Sequence, residues 1–116
     1  MTKVDITNRT FEFSLRIVKL CQILVASVGT NRAIAHQILR SGTSIGTNVE
    51  EAQAAQSKAD FSSKMFIACK EARESLYWLR ILIASERIPA SQLKPLKSEA
   101  NELLSILTTI TKNSRA

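Results

Sequence analysis

The aliphatic residues Ile34, Ile38, Ile45 and Val49, with Ala52, hold one helical phase across a stretch whose composition opposes helix. At about 100° per residue they fall on one narrow face. Yet between Ser41 and Thr47 every residue except Ile45 is Gly, Ser or Thr. Such clusters usually mark loops, and "GTSIGTN" invites a phosphate-loop reading. A P-loop needs a preceding strand, wider glycine spacing and a Lys directly after the second Gly; none is present. A loop also has no reason to keep the phase on both sides of itself. The pattern predicts one long helix from Asn31 to about Gln56, with Gly42 and Gly46 inside it.

Each interior Gly disfavours helix by about 1 kcal/mol relative to Ala, so packing must compensate. Ala35, Gly42 and Gly46 line one flank of the seam, where another helix backbone can approach closely. Ser41 and Asn48 lie on the other flank. Once buried they require hydrogen-bond partners, and such groups can fix which helix pairs with which.

Three further segments carry helical periodicity. Phe13, Ile17, Leu20, Leu24 and Val28 mark a first helix over about 8–28, with Gly29 as its stop and Thr30 or Asn31 as the next cap. A third helix covers 58–85, opened by Ser57 as N-cap with Asp60 as the acidic half of a capping box. Pro89 breaks it at "ERIPAS". Ser91 caps a fourth over 92–112, with Pro95 in its first turn. Four helices with short connections in 116 residues predict a single all-α domain, an antiparallel up-down-up-down four-helix bundle.

The chemistry-bearing residues are few. No apolar run approaches the roughly 20 residues of a membrane span, and the N-terminus lacks a signal-peptide core. No membrane partner is expected, and the expected location is the cytoplasm. Cys21 and Cys69 sit apart at apolar helical positions, as buried thiols do. The single His, His36, lacks the Glu-x-x-His spacing of bundle metal sites. Glu71 and Glu74 read as solvated surface. No catalytic residue, metal or cofactor is expected.

Charge is more informative. Sixteen basic against ten acidic residues give +6, which favours a polyanionic or acidic partner. Lys70, Arg73, Arg80 and Arg87 fall within one quadrant of the third helix, with Tyr77 among them. That pairs phosphate-neutralising charge with a ring on which a base can stack. Arg32, His36 and Arg40 form a shorter row on the second helix. The ordinary alternative is a solvated face, with Glu51, Glu71 and Glu74 supplying local ion pairs. Taken whole, the stripe points to binding.

"ILRSGTSIGTNVEEA" and "AQSKADFSSKMFIACKEARESLYWLRIL" resemble the small bacterial four-helix bundle proteins encoded in intervening sequences of large-subunit ribosomal RNA genes. Arg40, Ser44, Ile45, Asn48, Val49, Glu51 and Ala52 carry the first block. Ser57, Asp60, Phe61, Lys64, Ala68, Glu71, Ala72, Glu74, Tyr77, Trp78 and Leu79 carry the second. Similar proteins include the accessory variability determinant of diversity-generating retroelements, a barrel-shaped homopentamer that associates with a reverse transcriptase and nucleic acid. The resemblance implies a homopentamer and brings no catalytic residues. Phe11, Leu15, Val18 and Trp78 are then candidates for the subunit interface. The expected function is a non-enzymatic, oligomeric module binding RNA or a nucleoprotein. The alternative is an adaptor docking on an acidic protein.

Overall fold

The computed structural model describes residues 3–26, 29–86 and 88–115. Among them run four helices: α1 Lys3–Val25, α2 Thr30–Gln53, α3 Lys58–Ala84 and α4 Ala90–Arg115. They pack as an all-α four-helix bundle measuring 44 × 20 × 19 Å. The glycine-bearing stretch is helical throughout, as the unbroken apolar phase requires.

The helix ends differ from the sequence reading in instructive ways. α1 begins at Lys3, well before Asn8, and ends at Val25; Val28 lies outside the described residues. Gly29 is not a C-terminal stop but the N-cap of α2, at φ +82°, and Thr30 and Asn31 are already helical. α2 ends at Gln53 rather than Gln56. Ser57 does cap α3, its hydroxyl accepting from the Asp60 amide at 3.0 Å. The Asp60 carboxylate reaches past the cap residue to accept from the Gln56 amide at 3.2 Å. Beyond Ala84, Glu86 takes the left-handed conformation (φ 57°) that commonly closes a helix. Ser91 lies inside α4, which starts at Ala90, so Pro95 falls in the second turn. There its missing amide leaves the Ser91 carbonyl without the usual helical donor.

The core is a set of stripes, one per helix. Phe13, Ile17 and Leu24 meet Ile38, Ile45, Val49, Met65, Leu79, Leu82, Leu93, Leu103 and Leu107, all fully buried. Contacts pair early residues of one helix with late residues of the next. Gly46 lies against Thr10 and Gly42 against Ile17; Ser62 meets Ser114 and Cys69 meets Thr111. Consecutive helices therefore pack antiparallel, as connections of four or five residues demand. Each shares a long seam with the next, whereas α1 and α4 touch sparingly. That edge is bridged by Arg9, whose Nε donates to Glu99 at 3.1 Å and whose Nη1 donates to Glu102 at 3.3 Å. The hydrogen bond to Glu99 is the main reason the Arg9 guanidinium holds its proton above its ordinary range.

α2 joins its two neighbours differently. Toward α1, the Cys21 thiol donates to the Ala35 carbonyl at 3.5 Å. A Cβ on Gly42 would stand 2.8 Å from Ile17 Cγ1, and one on Gly46 would stand 3.3 Å from the Thr10 carbonyl oxygen. Ala35, Gly42 and Gly46 thus all lie against α1, with Gly46 against its backbone and Gly42 against the Ile17 side chain. Toward α3, the Ser75 hydroxyl donates to the Ser41 hydroxyl at 2.9 Å, with both residues fully buried. Among the described residues, Asn48 hydrogen-bonds to no other helix. Its amide donates within α2, to the Ser44 carbonyl at 2.8 Å and hydroxyl at 3.1 Å. No helix is long and apolar enough to cross a membrane, among the described residues.

Candidate nucleic-acid interface

α3 buries Met65, Ala68, Ala72, Ser75, Leu79 and Leu82 against its neighbours. The residues between them at helical spacing are left on its outer side. Lys70, Arg73, Tyr77 and Arg80 are all exposed there, separated by three, four and three positions. That spacing places them along one stripe of the helix surface. Arg87 lies outside the described residues.

Among the described residues, no carboxylate lies within ion-pair distance of Lys70, Arg73 or Arg80. Glu74 borders the shallow hollow formed by Lys70, Arg73 and Tyr77, but its carboxylate is engaged elsewhere. It accepts from the Trp78 indole at 3.1 Å and pairs with Arg40 of α2. Tyr77 is 51% exposed and meets Trp78 edge-on, ring centroids 5.4 Å apart. One ring is thereby backed by the other while its outer surface stays open.

The row on α2 divides. Arg32 and His36 are exposed. Arg40 instead bridges to α3, donating to Glu71 at 3.1 Å and pairing with Glu74. Its charge is neutralised by the fold, so the free cations of the two helices do not merge through Arg40.

Sequence reasoning missed Phe66 and Arg115. Phe66 is 44% exposed, four positions before Lys70 on the same stripe. Lys70 Nζ stands 5.9 Å from its ring centroid, and Arg115 of α4 places its guanidinium carbon at 5.0 Å. The alternation Phe66, Lys70, Arg73, Tyr77, Arg80 at steps of four and three was available as a signal. Arg115 was not, since it joins only through the packing of α4 on α3.

Reactive groups are sparse. Burial pushes the Cys21 thiol above its ordinary range, away from the nucleophilic thiolate. Among the described residues, no three His, Cys, Asp or Glu side chains gather as a metal site.

The family model described as 23S rRNA-intervening sequence protein matches residues 2–109. A crystal structure from Bacteroides thetaiotaomicron VPI-5482, described as a protein with unknown function from the S23 ribosomal protein family, is 42% identical to this chain. It superposes with a TM-score of 0.85, and the match covers 92% of this chain and 98% of that one. No curated protein matches.

Proposed function

The chain belongs to the 23S rRNA-intervening sequence protein family, and from that premise we propose that it is a non-enzymatic RNA-binding module acting through the outer face of α3. The observation that carries this reading is the contrast in charge compensation. Arg40 is held by two glutamates, while Lys70, Arg73 and Arg80 stand exposed with no ion-pair partner among the described residues, beside an exposed Tyr77. Carboxylate-free cations can exchange their counterions for backbone phosphates, and release of those counterions drives association. Arg32 and His36 supply a second, weaker contact on α2.

The module works as a cytoplasmic homo-oligomer, a pentamer, closed through the exposed Phe11, Leu15 and Val18 of α1. Trp78, half-buried with its indole donating to α3's own Glu74, offers that interface less free surface than the α1 residues do. A ring repeats the basic face, and repetition raises avidity through effective concentration. A reverse transcriptase or another nucleic-acid enzyme would meet the module on the RNA that both hold.

The test measures RNA binding against salt for the parent and for R73E/R80E, with mass determined by light scattering in the same samples. Parent affinity should fall with salt, log against log, with a slope of about 0.7 per phosphate contacted on single strands. The double variant should assemble as the parent does, bind at least about tenfold more weakly, and show a flatter slope. Parent-like RNA binding by R73E/R80E would remove this face from the function. Capture of one acidic protein that survives nuclease treatment, with no affinity for RNA, would make the chain an adaptor.

A further inference from the structure

We propose that the RNA held on α3 is single-stranded and that Phe66, flanked by Lys70 and Arg115, is a second base-stacking platform on the path that begins at Arg80. This rests on the RNA-binding reading above and extends it to a substrate class and a second site.

A phenyl ring 44% exposed on a helix surface contributes little to the core. Here cations from two helices, Lys70 of α3 and Arg115 of α4, stand over it, and a base would take the place of one of these long side chains or stack on the guanidinium itself. A ring beside positive charges matches a nucleotide in both of its parts. The base has a π-face that stacks on an aromatic ring or on a guanidinium plane, and the phosphates on either side seek the cations. An open hollow adjoins Phe66, bordered by Ser62, Ser63, Ser114 and the Arg115 side chain, leaving room for the sugar and its hydroxyls. Among the described residues, no glutamate lines it.

Phe66 and Tyr77 are eleven positions apart, about 16 Å along the helix. Lys70 and Arg73 occupy the interval, so the stripe reads ring, cation, cation, ring, cation. Two bases stacked on rings so far apart must be joined by several nucleotides whose phosphates cross the two cations. Only a single strand can turn bases out to both rings, because a duplex keeps its base faces stacked on one another. The cations alone would not discriminate, since both forms carry phosphates. The rings therefore determine the strand preference.

The experiment compares an unstructured RNA of about twelve nucleotides with an RNA duplex of the same length, at fixed salt. F66A and F66L are measured beside R73E/R80E. The leucine variant keeps an apolar group under the two cations while removing the π-face. Both Phe66 variants should weaken single-strand binding by about five- to a hundredfold and leave duplex binding near the parent value. Unchanged single-strand binding in both overturns the platform. So does an equal loss for duplex, which would mean that Phe66 serves only to hold Lys70 and Arg115 in place. Loss in R73E/R80E with parent-like Phe66 variants keeps the RNA-binding reading and removes the platform. Parent-like binding in R73E/R80E removes both.

Discussion

On one flank of α2, Gly42 and Gly46 bring the backbone against Ile17 and Thr10 of α1; on the other, Ser41 meets Ser75 of α3 and Arg40 binds two glutamates. The first seam is specified by volume. Its glycines carry no side chain that attracts α1; they leave space for the β-branched Ile17 at Gly42 and for the Thr10 backbone and Ser14 at Gly46. The second seam is specified by partners. Its hydroxyl pair is buried where an unpaired polar group is costly, and its ion pairs lie half in water where they contribute little. One helix can thus distinguish its two neighbours by shape on one side and polarity on the other.

The largest effect should come from adding volume to the first seam. Gly42→Leu places branched carbons where even a Cβ would lie 2.8 Å from Ile17 Cγ1 and 3.3 Å from its Cβ. The obstructing atoms sit at the root of a stiff side chain, so relief requires the helices to part. We expect about 3 kcal/mol or more of destabilisation, read as a thermal midpoint lowered by roughly 10 °C or more. Gly42→Ala should cost less, about 1–2 kcal/mol, because the gain in helix propensity offsets part of the crowding. A Leu variant as stable as the parent would falsify the shape account.

Removing a partner from the second seam should cost less. Ser41→Ala leaves the Ser75 hydroxyl without its acceptor in a site closed to water. That should destabilise by about 1–2 kcal/mol, and adding Ser75→Ala should restore part of the loss. Strictly additive losses would show that the hydroxyls do not act as a pair.

The smallest effect is expected at the rim. Arg40 is about half exposed, with 51% of its side-chain surface open. Arg40→Gln should change stability by no more than about 1 kcal/mol, and by less in high salt. It should also release Glu71 and Glu74 on a helix that presents free cations. RNA affinity should therefore fall modestly, by less than in R73E/R80E, through added negative charge nearby. A loss equal to that of the double variant would place Arg40 in the RNA contact itself.

How far the sequence carried these assignments depended on the range of the interaction. The unbroken phase from Ile34 to Ala52 is a local property, and it revealed α2 through a stretch built of loop-like residues. The need of Gly42 for a close neighbour followed from the same local argument. Helix ends were less legible, because Gly29 can serve either side of a connection and Ala90 gives no capping signal ahead of Ser91. Asn48 misled because a buried amide suggests a partner across the bundle, yet Ser44 one turn earlier already supplies two acceptors. Arg40 could be placed on α2 but not beside Glu71 and Glu74, since that requires the register between helices. Arg115 joined the candidate site for the same reason, through a contact between α3 and α4.

The sparing contact between α1 and α4 gives the two outer helices a different status from the inner pair. α2 and α3 each have a neighbour along both sides, so their amides are uncovered only when two seams open. α1 and α4 each depend on one long seam, and on the Arg9 bridge to Glu99 and Glu102 across the remaining edge. Either should therefore open more readily than the inner pair. Native-state hydrogen exchange would rank them accordingly, with α2 and α3 protected to the global limit and the outer helices exchanging through cheaper, partial openings.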